Sequence, residues 1–231
     1  NPLLREISGR GRLPVVSGGT AFYFVHLIYG LPGTPRAGEA TRRRLQEELR
    51  GRGLPALYEE LREVDPESAE RIDPRDRYRV LRALEVYRES GRPRSEFEEP
   101  RVPRDDLEYI AIGLHRHRPE LYRRIDDRVD EMFRAGLVEE VRRLVSRGVT
   151  SEAPAMRAIG YREFFDAASV EELRRGISDG PRLDGIRREI KKNSRRYAKR
   201  QITFFSRIEG VRWFPPEAEG EIRAAAQELL G

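Results

Sequence analysis

Cysteine is absent from the 231 residues. Disulfide bridges and thiolate metal sites are therefore excluded. Histidine is almost absent too. His26, His115 and His117 are the whole supply, too little imidazole for a zinc centre. His115 and His117 would point the same way on a strand, and they read as surface or phosphate-facing side chains. No stretch of about 18 apolar residues exists to cross a bilayer as a helix. No signal peptide is visible, so a cytoplasmic protein without a membrane partner is expected. A Ser/His/Asp arrangement, a Walker-type phosphate loop and an obvious carboxylate pair are also lacking. Asp126, Asp127 and Asp130 lie among Arg123, Arg124 and Arg128, a pattern of i,i+4 ion pairs within one helix rather than a metal cage.

What is present is charge and helix. Hydrophobic residues make up 38%, enough for a core, and charged residues 37%, which implies much exposed helix surface. Lys+Arg exceed Asp+Glu by 45 to 40, a net +5 with a pI near 9.7. That surplus is modest, so its distribution matters more than its total. Arginine far outnumbers lysine. The planar guanidinium fork suits phosphate, although a GC-rich or thermophilic source would give the same bias.

Hydrophobic periodicity and Gly/Pro punctuation divide the chain. Leu3 to Arg10 reads as the end of a helix, 13–17 as a strand and 20–29 as a helix. A Pro/Gly-rich linker covers 30–38. Short charged helices follow at 39–52, 55–63, 66–72 and 75–90, and then a second linker marked by Pro93, Pro100 and Pro103. A strand is expected at 107–114. Helices at 119–135 and 137–147 are stopped by Gly136 and Gly148. Short helices are expected within 154–168 and at 169–176, a long one at 184–207, a last strand at 211–214 and a terminal helix at 217–230. A helical block between two Pro-rich linkers predicts an inserted subdomain, residues 37–100, in a core made of 1–36 and 101–231. The opening Asn1-Pro2-Leu3, without an initiator Met, reads as the later part of a longer protein.

Four segments carry chemistry. Ser17-Gly18-Gly19-Thr20 joins an apolar run (Leu13-Pro14-Val15-Val16) to an amphipathic one (Ala21 to Tyr29). Its glycines permit close approach of backbone to a ligand, and the following helix start offers free N–H groups to an anion. Thr20 places a hydroxyl at the cap position. A plain tight connection accounts for the same pattern. In the long helix, Ile186, Ile190, Tyr197 and Phe204 form the buried stripe. Arg187, Arg188, Lys191, Lys192, Arg195, Arg196, Lys199, Arg200 and Arg207 surround it against one acid, Glu189. Like charges at i,i+4 repel, so an anionic partner such as a nucleic acid backbone or a phosphorylated ligand is expected. In the helix around 75–82, Arg75, Arg79 and Arg82 share a face beside Tyr78, which is suited to stack on a base. A surface helix stabilised by Asp73, Asp76 and Glu85 fits equally. In Pro154 to Arg162, Arg157 stands among apolar neighbours, where burial demands a partner. A phosphate or an internal carboxylate would serve.

Taken in order, these segments resemble the tRNA dimethylallyltransferase family over nearly the whole chain. The resemblance rests on Leu13 to Thr20 with Tyr23. It rests also on Asp73-Pro74-Arg75-Asp76 leading into Arg79 and Arg82-Ala83-Leu84-Glu85-Val86-Tyr87. Arg128-Val129-Asp130-Glu131-Met132, Gly136 to Val141, Ala155-Met156-Arg157-Ala158-Ile159-Gly160-Tyr161 and Arg196-Tyr197-Ala198-Lys199-Arg200-Gln201 complete it. The resemblance implies an α/β fold, mostly helical: a P-loop nucleotide-kinase-like core with its N-terminal part missing, and an inserted all-helical subdomain that clamps tRNA. It implies transfer of a dimethylallyl group from dimethylallyl diphosphate to the N6 amine of the adenosine beside the anticodon, with the base flipped out for reaction.

By the same resemblance, Thr20 and Arg157 are catalytic, and Ser17, Gly18, Gly19, Thr20 and Arg157 hold the diphosphate. Arg42, Tyr78, Arg79, Val80, Leu81, Arg82, Arg195, Lys199 and Arg200 bind tRNA. Mg²⁺ is the implied cofactor, and the anticodon stem-loop and dimethylallyl diphosphate are the implied partners of a monomer. The family's Gly-x-x-x-x-Gly-Lys-Thr loop and general-base aspartate, which come first in its members, are not found here. Residues 1–231 alone are therefore expected not to turn over. The alternative reading is a non-catalytic helical RNA-binding module.

Overall fold

The structure is a computed structural model that describes residues 1–97, 100 and 102–228. The expected domain boundary at residue 101 and the last residues of the expected 217–230 helix lie outside the described residues. In chain order the helices are α1 (Pro2–Gly9), α2 (Ala21–Tyr29), α3 (Glu39–Val64), α4 (Pro66–Arg71), α5 (Arg77–Ser90), α6 (Arg118–Arg134), α7 (Leu137–Ser146), α8 (Arg162–Ala167), α9 (Val170–Arg175), α10 (Gly180–Phe205) and α11 (Glu219–Gln227). Strand β1 (Ile112–Leu114) precedes α6 and β2 (Arg212–Phe214) precedes α11. Single 3-10 turns occupy Arg94–Glu96 and Pro154–Arg157. The chain separates into two compact units, residues 22–108 and residues 1–21 with 109–231.

The 22–108 unit is helical and has its own core. Leu45, Leu57 and Leu61 of α3 pack with Ala69 of α4 and with Val80, Leu81, Ala83 and Leu84 of α5. Helix α3 covers the two helices expected at 39–52 and 55–63. It kinks at Gly53, whose φ of +78° is not helical, just before Pro55. A charge network ties the two limbs of α3 to α5. Arg88 donates to Glu48 at 2.5 and 2.7 Å and to Glu60 at 2.5 Å, and Arg52 reaches both acids. Arg75 lies in the turn before α5 instead of on its face, because Asp76 caps the helix by accepting the Arg79 N–H at 3.1 Å. The linker before α3 is fastened to α5. Arg82 donates to the Pro35 carbonyl at 3.0 Å, and Glu89 accepts from the Gly38 N–H and the Thr41 hydroxyl.

Asp65 is fully buried. It caps α4 through the Ser68 N–H and also accepts from the Ser95 N–H and hydroxyl. Burial pushes its carboxyl pKa up, but the hydrogen bonds from Ser68 and Ser95 outweigh burial and hold it below the ordinary carboxylate range. A carboxylate depressed in the folded state stabilises the fold above its unfolded pKa of about 4, and that contribution is lost as pH falls through the folded value. Asp65→Asn is therefore expected to destabilise this unit by about 1–3 kcal/mol at neutral pH. The gap from the parent should narrow as acid is added, and urea unfolding at a series of pH values measures it.

In the other unit, β1 and β2 pair in parallel, with Gly113 opposite Trp213. A Cβ on Gly113 would come within 2.6 Å of the indole, so the close stacking of Trp213 needs glycine here. Only Ile112–Leu114 of the expected 107–114 strand is a strand, because the partner strand supplies three residues of ladder. Residues 13–17, expected as a strand, form none. They join no ladder among the described residues, and Val15 is 83% exposed. Apolar β-prone composition makes a strand only where backbone hydrogen-bond partners exist.

The core of this unit joins Val129 of α6, Leu137, Val141 and Val145 of α7, Phe164 of α8, Leu173 of α9, and Ile186 and Ile190 of α10. The first turn of α10 begins earlier than expected, at Gly180-Pro181, because proline fits a helix's first turn, where its missing N–H is no loss. No helix among the described residues is long and apolar enough to cross a membrane. The molecule is thus mostly helical with a small parallel sheet, compatible with an α/β fold.

Candidate RNA and diphosphate site

Helix α10 organises the unit of residues 1–21 and 109–231, and its two halves differ. In the first half Ile186 and Ile190 are buried, as the apolar stripe predicts. In the second half the expected stripe fails, with Tyr197 42% and Phe204 49% exposed. The cover on α10 comes mainly from α6 and α8, and its core contacts are those of Leu183, Ile186 and Ile190, all in its first half.

The cations of α10 divide in the same way. Asp130 of α6 takes Lys191 at 2.7 Å and Arg187 at 3.8 Å, and Asp126 takes Arg195 at 2.5 Å. Arg187 also lies over the Phe133 ring, and Arg195 over that of Tyr122. Asp126 and Asp130 thus bridge to α10 instead of forming the expected pairs within α6, because facing helices bring them closer to the α10 cations than to their own arginines. Much of the charge that seemed to demand a nucleic acid is offset by protein. Arg195, expected to bind tRNA, is spent on Asp126.

Lys192 pairs with Glu189 of its own helix at 2.9 Å. Arg188, Arg196, Lys199 and Arg200 form no ion pair among the described residues, and the last three, with Thr203, Phe204 and Arg207, line an open pocket of 340 Å³. Arg207 stacks over Phe204, 5.7 Å from the ring centre. The pocket therefore joins an aromatic floor to a cationic rim.

Two loops attach to α10. Gln201 donates to the Gly19 carbonyl at 2.5 Å. That bond brings Ser17 to Thr20, all exposed, beside the helix that carries Lys199 and Arg200. The second loop carries Arg157. Glu163 accepts from the Gly160 N–H at 2.8 Å and from the Asn193 amide of α10 at 2.8 Å. Asn193 and Gln201 are eight residues apart, about 12 Å along the helix axis and roughly 80° around it. The Arg157 side chain is 64% exposed, and its partner is Glu152 at 3.4 Å, itself 82% exposed. A carboxylate does stand near Arg157, as expected, but the pair is exposed and not internal. Met156 takes the inward place of that turn, and the guanidinium stays in solvent, free to meet an anion.

In the 22–108 unit, Tyr78 is 78% exposed, Arg42 is exposed, and Arg79 is exposed beside Asp76 at 3.3 Å. Val80 and Leu81 are core residues and offer no side chain to a ligand, because α5 turns them inward. Arg82 is held by Glu85 and Pro35, so it anchors the linker. No group of three His, Cys, Asp or Glu side chains that would hold a metal ion exists among the described residues. A Mg²⁺ ion held mainly by diphosphate oxygens and water needs no such group. Sequence reasoning gave no role to Glu163, Asn193 or Gln201. The signal for Glu163 and Asn193 was a polar residue inside an otherwise apolar or basic segment, and Gln201 ended a family motif.

Comparison with known proteins places the chain. The family described as IPP transferase matches residues 1–208. A tRNA dimethylallyltransferase of Geobacillus kaustophilus is 42% identical over 229 residues, covering 98% of this chain and 69% of the relative. The solved structure of a full-length tRNA isopentenylpyrophosphate transferase from Bacillus halodurans is 34% identical, with a TM-score of 0.57. That match covers all of this chain and 70% of the neighbour. A eukaryotic dimethylallyltransferase solved acting on tRNA shares the fold at 23% identity, with a TM-score of 0.66 over 99% of this chain and 59% of the neighbour.

Proposed function

We infer that this chain, which belongs to the IPP transferase family, is a tRNA dimethylallyltransferase that modifies the adenosine beside the anticodon. The N6 amine attacks the allylic carbon of dimethylallyl diphosphate. A C–N bond forms, the C–O bond to diphosphate breaks, and the amine gives up a proton. Charge builds on the departing diphosphate, so the protein's task is to meet it with fixed donors and cations. Arg157 carries that task on its exposed turn. Ser17, Gly18 and Gly19 offer backbone to the diphosphate, and the Thr20 hydroxyl stands at the reaction channel. Lys199 and Arg200 hold RNA phosphate from α10, while Arg42, Tyr78 and Arg79 hold it from the helical insertion, residues 37–100. The core around α10 is of the nucleotide-kinase-like kind, and the protein acts as a monomer in the cytoplasm.

One observation supports this reading most. A single helix carries the unpaired cations of the pocket and anchors both the Gly19 and the Arg157 loops. A module that only bound RNA would have no use for two exposed anion-ready loops fixed to its RNA-binding helix. Incubation of the intact gene product with dimethylallyl diphosphate and an anticodon stem-loop is expected to release diphosphate only when the RNA is present. RNA binding with no such release would instead favour the non-catalytic module.

A further inference from the structure

Glu163 is 3% exposed, beside Phe164, which is 1% exposed. A carboxylate so placed is costly unless its oxygens are satisfied, and its donors among the described residues come from the preceding loop, from its neighbour and from α10. Oε2 accepts from the Gly160 N–H at 2.8 Å. Oε1 accepts from Asn193 of α10 at 2.8 Å and from its neighbour Arg162 at 3.2 Å. Gly160 ends the turn that carries Arg157. Its φ is +105°, and a Cβ there would lie 3.3 Å from Met132, so the loop has one backbone course at this point and Glu163 holds its amide. Among the described residues, Arg157 itself has only the exposed Glu152 to hold it.

We propose that Glu163 is a positioning residue for Arg157: it locks the Pro154–Gly160 loop to Asn193, fixing the arginine relative to the cationic face of α10. This rests on the reading of Arg157 as the diphosphate-binding arginine, and the test separates the two.

Inorganic diphosphate is titrated calorimetrically into the intact gene product and its variants, at a temperature where circular dichroism shows each one folded. Arg157→Ala and Glu163→Ala are each expected to weaken binding about tenfold or more. Glu163→Gln is expected within about threefold of the parent, because its amide oxygen still accepts from Gly160, a turned Asn193 amide meets its NH₂, and the half-exposed Arg162 can turn its N–H to water. If Glu163→Ala does not fold, Asn193→Ala serves, because it frees the loop from α10 and leaves the Gly160 bond. It is expected to weaken binding about threefold. Weakened Arg157→Ala beside an unchanged Glu163→Ala or Asn193→Ala would overturn the positioning role alone. An unchanged Arg157→Ala would overturn the reading of Arg157 and this inference with it. Glu163→Gln as weak as Glu163→Ala would assign the effect to charge and also overturn the positional account.

Discussion

Arg157→Ala is expected to lower kcat/KM for prenyl transfer by about 10²- to 10³-fold, the usual cost of removing one preorganised donor from developing negative charge. Stem-loop affinity should stay within about twofold, since the arginine meets the diphosphate and not the RNA phosphates. The melting temperature should hardly move. Arg157 is largely exposed and its one ion pair among the described residues is to an exposed glutamate, and such surface pairs contribute little. Steady-state kinetics, a filter-binding titration and a thermal melt give the three readouts. A parallel fall in RNA affinity would mean that the two charged surfaces are one.

The reverse pattern is expected for Lys199→Ala combined with Arg200→Ala. Neither side chain has an acidic partner among the described residues, so both charges are available to phosphate. Removing two phosphate contacts should weaken stem-loop binding by on the order of ten- to hundredfold at low salt. It should also flatten the plot of log affinity against log salt by about 1.5 to 2. Diphosphate affinity should change little. Arg195→Ala is the informative control. Its guanidinium is bound to Asp126, so its loss should lower stability by leaving a half-covered carboxylate unpaired and should leave the salt slope alone. If Arg195→Ala flattens the slope and the double variant does not, the assignment of the α10 faces is reversed.

The contrast between these neighbours shows what one dimension of sequence conveys. The basic run from Arg187 to Arg200 was plain, and so was the helix. Which of its cations face an acid was not, because Asp126 and Asp130 lie more than sixty residues away in the chain. The same limit explains Arg82. Its spacing from Arg79 suggested a shared binding face, but its fork is turned to the Pro35 carbonyl and Glu85. The insertion's helices were legible because each has a 3.6-residue apolar period and local stops, such as Gly91 in the left-handed conformation after α5. Strands depend on partners at a distance, so 107–114 shrank to three residues and 13–17 formed none. Tyr197 and Phe204 continue the apolar period of Ile186 and Ile190, but a period shows which face is apolar and not what covers it. At the site, Ser17 to Thr20 and Arg157 could be named from the family motifs. Glu163 and Asn193 could not, and Gln201 stood in a quoted motif without a role, because the importance of all three lies in the loops they join to α10.

The fate of the prenyl group tests the central claim most directly. After reaction with dimethylallyl diphosphate, the stem-loop is digested to nucleosides and analysed by mass spectrometry. The account predicts one prenylated nucleoside, adenosine substituted at N6, from the position next to the anticodon. Unmodified RNA recovered from a protein that binds both ligands, or a prenyl group on any other atom, would contradict it.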